Sequence, residues 1–520
     1  MNYSVTRRLS ALICMGILTL LVPFVASAQT HSAPLGIFEG QEDVGTVLHE
    51  GSASYNSAKK SYTVTGSGEN MWFGEDDFHF LWKKMSGDVA ISADIQFVGT
   101  KGDNHRKAVL MIRQTLDGNS SFADVARHGD GLTSLQFRNG AGTNTHEVEF
   151  KNPGPLRVRI EKRGDFFYGF FSGNDGKLHP AGASAKLALN GPFYVGIGVS
   201  AHNKDELQTA IFSNVTVEAL APESSEKPVL YSTLETVSVD SGDRRVAYVA
   251  PAHFEAPNWS KDGSFFLFNQ GGGIYRLPVI GGGTIYKLPS AGDEPVRIST
   301  GAQVKCNNDH GISPDGKMIA VSDSSKTGKS LVYTLPITGG TPTQITQVGP
   351  SYFHGWSPDG STLAFTGERG DNFDIYTIPA AGGEEKRLTT AEGLDDGPEY
   401  SPDGAWIYFN SVRTGHMQIW RMHADGSNQE QVISEETNDW FPHISPDGKW
   451  MTFISFEKGV TGHPPDKDVT LNVMSLTDKK IKVLATLFGG QGTNNVASWS
   501  PDSSKVAFVS YEYLTPEPRN

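Results

Sequence analysis

From about Ser32 to Glu218, apolar and polar residues alternate along the chain. In VAISADIQF, Val89, Ile91, Ala93, Ile95 and Phe97 fall on one face, the pattern of a strand buried on one side. LRVRIEKRGDFFYGFF sets Leu156, Val158 and Ile160 against Arg157, Arg159 and Glu161, turns at Arg163-Gly164-Asp165 and returns as an aromatic strand. That arrangement predicts a hairpin. Several such strands with glycine-bearing connections predict two packed antiparallel sheets, a jelly-roll β-sandwich over 33–218. The segment ALAPESSEKP, residues 219–228, has neither strand nor helix period and reads as a linker.

Beyond it the pattern becomes a repeat. NWSKDG, GISPDG, GWSPDG, EYSPDG, HISPDG and SWSPDS place Asp262, Asp315, Asp359, Asp403, Asp447 and Asp502 at intervals of 53, 44, 44, 44 and 55 residues. Units of this length holding several short apolar strands predict the blades of a β-propeller. A first strand ends at SPDG, a second follows (LAFTG, WIYFNS, WMTFIS), and a third carries IY or IW. The last unit reaches only its second strand, VAFVSY, whereas LETVSVDSG and RRVAYVAP, ahead of the first repeat, imitate a third and a fourth. Closing one blade with strands from both ends predicts six blades over 229–512, a tail at 513–520, and an all-β protein throughout.

A length of 520 residues suits two cores, and 58 glycines, 28 prolines and 20% charged residues favour short strands and turns over helices. Arg7 and Arg8 precede ALICMGILTLLVPFV and Ala26-Ser27-Ala28, the order of a secretory signal. Residues 1–28 are therefore expected to be removed, leaving a periplasmic or secreted protein with no later stretch long and apolar enough to span a bilayer. Losing two positive charges takes the net charge from −14 to −16, which argues against a nucleic-acid partner. Cys14 leaves with the signal, and Cys306 alone forms no intramolecular disulfide.

The words GSGENMWFGEDDFHFLWKKMSGDVAISADI, FYVGIGVSAHN and IFSNVTVE resemble concanavalin A-like, laminin-G-type sandwich modules over most of 33–218. That resemblance implies carbohydrate binding. Trp72, followed by acids and glycines, would be its exposed ring, and alternate members of the cluster Trp72, Phe73, Phe78 and Trp82 would be core. SPDG with IY at this spacing resembles the TolB-like propeller family over roughly 229–512. The resemblance implies the propeller fold and includes protein-interaction modules, but related repeats also occur in peptidase propellers and glycan-cleaving lyases.

The aspartate and glycine of SPDG are turn formers, so chemistry is expected at the opposite face of the propeller. Three positions before the SPDG serine, three blades have Pro257, Pro398 and Pro442, whereas two successive blades have His310 and His354. Neighbouring imidazoles at a channel mouth are expected to converge on one ligand or on a divalent metal, the cofactor the pair would suit. Six positions before the serine stand Asn307, Asp395, Asp439 and Asn494, with Asp309, Asp396, Asn438, Trp440 and Asn495 close by. Glu368, Arg369, Arg413, His416 and His463 come from loops between second and third strands on the same side. Aspartates in such places also commonly accept backbone hydrogen bonds. His443 reads as packed, and Cys306 would need His310 within reach to act as a nucleophile.

Three functions fit these residues. One is an exported carbohydrate-interacting protein, its sandwich binding glycan or oligosaccharide and its funnel binding glycan or an envelope protein. Another is a polysaccharide lyase or glycoside hydrolase, with His310 or His354 as base or metal ligand, Asp395 or Asp439 as acid/base partner, and Arg369 or Arg413 neutralising a uronate. The third is an envelope scaffold using the same face for a protein. No GxSxG elbow, HExxH or Gly-rich phosphate loop occurs. The clustered histidine and glutamine motif of oligogalacturonate lyases is not found either.

Overall fold

Alternation along the chain becomes two facing sheets in the N-terminal half. In the computed structural model, which describes residues 35–150, 157–173, 175–221, 227–279 and 295–515, every regular element is a strand. The expected leader, and residues 222–226 of the expected linker, lie outside the described residues. Strand Val89–Phe97 turns Val89, Ile91, Ala93 and Ile95 into a core. Strand Arg157–Arg163 adds Val158 and Ile160 and pairs with Phe166–Ser172 across the Gly164-Asp165 turn, where Gly164 has φ 55°. Both belong to a seven-stranded sheet. Opposite it, strands Lys107–Arg113, Phe122–His128 and Thr133–Arg138 of a ten-stranded sheet send Leu110, Ile112, Val125 and Leu135 into the same core. Each such fully buried side chain contributes roughly 2 kcal/mol of hydrophobic stabilisation.

The repeats fold as five four-stranded antiparallel meanders. Their inner strands are Phe254–Trp259, Cys306–Ile312, Ser351–Trp356, Asp395–Tyr400 and Asn438–Ile444. At the foot of each, SPDG forms a hydrogen-bonded knot. The Ser313 hydroxyl donates to Asp315 at 2.7 Å and accepts the Met318 amide at 2.9 Å, and Gly316 takes φ 72°. Ser357 and Asp359, Ser401 and Asp403, and Ser445 and Asp447 repeat the first contact at 2.5–2.6 Å. Asp359 is held at about 2 by these donors, the behaviour of a turn acceptor and not of a catalytic acid.

Five of the six expected blades stand as separate four-stranded sheets. Strand Lys505–Leu514 does pair with Val229–Ser238, and that strand with Arg244–Ala250, so sequence from both ends of this half is joined. These three strands form one end of the ten-stranded sheet and not a separate sheet. Arg244–Ala250 pairs in parallel with His146–Phe150, Val148 opposite Arg244 and Glu149 opposite Arg245. Buried Arg244 lies 3.1 Å from buried Glu235 and donates to the Ser184 carbonyl, and Arg245 pairs with Glu149. An edge strand that the repeat pattern alone would leave open is thereby covered, and the described residues from Leu35 onward form one compact unit.

Candidate functional site

Every inner strand carries a bulge ahead of its SPDG serine, between Glu255 and Asn258, Cys306 and His310, Phe353 and Gly355, Asp396 and Glu399, and Trp440 and His443. An extra residue on one strand re-aims the side chains that precede it. In the three proline blades the residue before proline is left-handed, with φ 59° at Ala256, 63° at Gly397 and 57° at Phe441. Asp309 and Phe353, at the same place in the histidine blades, do not share that conformation. The change from proline to histidine therefore marks a second form of the bulge.

Five positions before the serine, Glu255, Asn308, Tyr352, Asp396 and Asn495 line a cavity of about 540 Å³ at the channel mouth. Asp396 is its centre. His354 Nε2 lies 3.3 Å from one carboxylate oxygen and His463 Nε2 3.8 Å from the other, while the Thr366 hydroxyl and the Gly397 amide each donate at 2.8 Å. Burial alone would raise the Asp396 pKa, but the contact with His354 and the charges of both imidazoles hold it at about 2. Burial lowers the His354 pKa, yet Asp396 and Asp309 outweigh it and leave the imidazole above its ordinary value. His463 falls below its ordinary value through burial. Asp309, which accepts from Asn307 at 2.7 Å, is pushed up to about 6 by burial, with His354 opposing and Asp396 reinforcing. The mouth therefore places one ionised and one readily protonated carboxyl in a cavity walled by Tyr352, Phe373 and Phe441.

Of the residues expected here, Asn307, Asp309, His354, Asp396, His463 and Asn495 line the mouth. His310 does not. It is buried, and burial takes its pKa down to about 4 against the opposing backbone of Leu267 and Ala256. With His354 it lines a second cavity of about 320 Å³ on the SPDG side. Of the ring six positions before the serine only Asn307 lines the mouth; Asp395, Asp439 and Asn494 are engaged elsewhere. Asp395 accepts from Arg413 at 2.8 Å, Asp439 accepts from Thr437 and Ser455 at 2.9 and 2.6 Å, and Asn494 accepts from Ser498 at 2.7 Å. Arg369 forms a bidentate pair with Glu385, and Trp440 is packed in a core and edge-on to His463. Glu368 is half-buried and not part of the mouth. Trp72 is half-buried, its ring 5.1 Å from Lys107 Nζ. Burial, with Asp323 beside it, pushes the Cys306 thiol up to about 12, which removes it as a nucleophile at neutral pH.

A divalent metal does not fit these donors. Among the described residues no three His, Cys, Asp or Glu side chains are grouped to hold one, and His354 and His463 face the Asp396 carboxylate from its two sides. Sequence reasoning passed over Glu255, Tyr352, Phe373 and Phe441, and gave His463 no role. The position five before the serine was a signal for Glu255 and Tyr352 and for no other of these residues, and it fails at Trp440, five before Ser445, which is packed in a core.

The profile described as the TolB beta propeller domain matches residues 352–513. The uncharacterized protein Atu1656 of Agrobacterium fabrum is 48% identical over 280 residues, which cover 54% of this chain and 92% of that protein. A solved structure from Agrobacterium tumefaciens, provisionally named TolB, is 46% identical with a TM-score of 0.52 and covers 55% of this chain and 99% of that one. TolB from Acinetobacter baumannii is 14% identical with a TM-score of 0.40, over 64% of this chain and 79% of that one. With a propeller of five repeated meanders and a relative matched over nearly its whole length, this chain belongs to the TolB-like β-propeller family.

Proposed function

We propose that the protein is an exported scaffold that holds a segment of a protein partner in the mouth of its propeller channel. The observation that carries this reading is the cavity of about 540 Å³ in which ionised Asp396 is surrounded by donors, acceptors and rings. Its size suits a few side chains, and Asp396 with Glu255 favours a segment bearing a cation or several N–H donors. Membership of the TolB-like family supports protein as the partner class. The finer parts of the reading accompany it: residues 1–28 as a leader to the periplasm or beyond, 33–218 as a concanavalin A-like jelly-roll module, and the strands Lys505–Leu514, Val229–Ser238 and Arg244–Ala250 as a sixth blade. The Trp499 to Val506 bridge supports the last of these by offering an inner strand. The test is affinity capture from envelope extract of the source organism with wild type and Asp396→Asn. A defined protein retained by wild type and lost by the variant is expected, and a partner held equally by both overturns the site.

A hydrolytic or lyase reading rests on the separation of Asp309 and Asp396 in protonation, the division an acid/base pair needs. It requires product release from a polysaccharide panel that Asp309→Asn abolishes.

A further inference from the structure

A cavity among the described residues of this acidic protein gathers three arginines. At an open end of the N-terminal half, between its two sheets, a cavity of about 920 Å³ is lined by Arg106, Arg127 and Arg157 together with Ile95, Phe97 and Ile211. Ala108 stands opposite Arg127 in the ladder, and the core-facing parity of Ala123 and Val125 continues to Arg127. Arg106 immediately precedes strand Lys107–Arg113, the neighbour of the strand that carries Arg127, and both arginines line the cavity.

Neither has a carboxylate partner. Among the described residues the Arg127 side chain makes no hydrogen bond and no ion pair, and burial alone lowers its pKa with no acid opposing the shift. Arg106 is 4% exposed, stacks 4.8 Å over the Phe97 ring and donates to the Asp103 carbonyl at 2.7 Å, while its Nε has no partner. Asp94, which also lines the cavity, is occupied by Asn214 at 2.6 Å and Arg157 at 3.6 Å. Asp130 accepts the Leu132 amide at 3.0 Å. A partly buried cation without a partner is costly unless something supplies the anion, and guanidinium forks fit oxyanions bidentately.

We infer that this cavity is a binding site for a small organic anion, with Arg127 and Arg106 holding its oxyanion and Phe97, Ile95 and Ile211 its apolar part. The site is independent of the propeller mouth. Titration calorimetry with octanoate, octyl phosphate and inorganic phosphate tests it on wild type, Arg127→Gln and Arg127→Lys. Binding of octanoate or octyl phosphate is expected, more than 10-fold weaker in Arg127→Gln and partly restored in Arg127→Lys. The tighter of the two organic probes identifies the headgroup, and weaker binding of inorganic phosphate confirms that the apolar wall contributes. Thermal unfolding without ligand gives a second readout, since removing an unpaired cation should leave the midpoint of Arg127→Gln unchanged or higher. No binding of any probe, equal binding by Arg127→Gln, or a lowered midpoint for that variant would each overturn the site.

Discussion

Asp396 remains ionised although it is buried, because two imidazoles, a hydroxyl and a backbone amide face its two oxygens. Asp396→Asn should lower the His354 pKa, read by NMR titration, and destabilise the fold by roughly 2 kcal/mol through the contacts left unmade. Next to this site, Asp309 and His310 respond to acid in opposite ways. Asp309, held at about 6 when folded, binds its proton before the unfolded chain does, so it adds stability as pH falls from about 6 toward 4. His310, held near 4, is protonated first in the unfolded chain and removes stability as pH falls from about 6.5 to 4. Each effect has an upper bound of about 3 kcal/mol. Urea denaturation across this range should show His310→Phe gaining acid stability relative to wild type and Asp309→Asn losing it; parallel profiles would contradict the assignment. The pairing of Asp395 with Arg413 was not legible in the sequence. A bulge shifts the parity of the inner strand by one residue, and counting back from serine cannot show which of two adjacent acids enters the channel.

At the scale of the element, repetition was what the sequence showed most clearly. Each SPDG serves one knot, in which serine, aspartate and glycine have separate tasks, so the phrase recurs wherever an inner strand turns back. Gly316 has φ 72° and open space beyond its Cα, which isolates the conformational cost of a side chain there. Gly316→Ala should destabilise the protein by about 1 kcal/mol in equilibrium unfolding and leave the mouth unaffected. The break from proline to histidine was also visible, but its cause was not. It follows a difference in backbone form at Asp309 and Phe353 against Ala256, Gly397 and Phe441, which no residue type announces by itself.

For the whole molecule, the parallel pairing of His146–Phe150 with Arg244–Ala250 joins the N-terminal sheets to the repeats. Periodicity locates strands but not partners about 100 residues apart, so the sequence suggested two modules on a linker. Calorimetry of the full chain should give one cooperative transition, and Arg244→Ala should lower its midpoint by leaving Glu235 buried without its cation. Two transitions unaffected by that substitution would contradict a joined molecule. The central claim is that the mouth holds a protein segment, and site-specific photo-crosslinking tests it most directly. A photo-reactive residue at position 373, where Phe373 lines the mouth, should yield one defined protein adduct in the source envelope, diminished by Asp396→Asn and absent when the probe stands at Lys317 beside SPDG. An equal adduct from both positions, or none from 373, would contradict it.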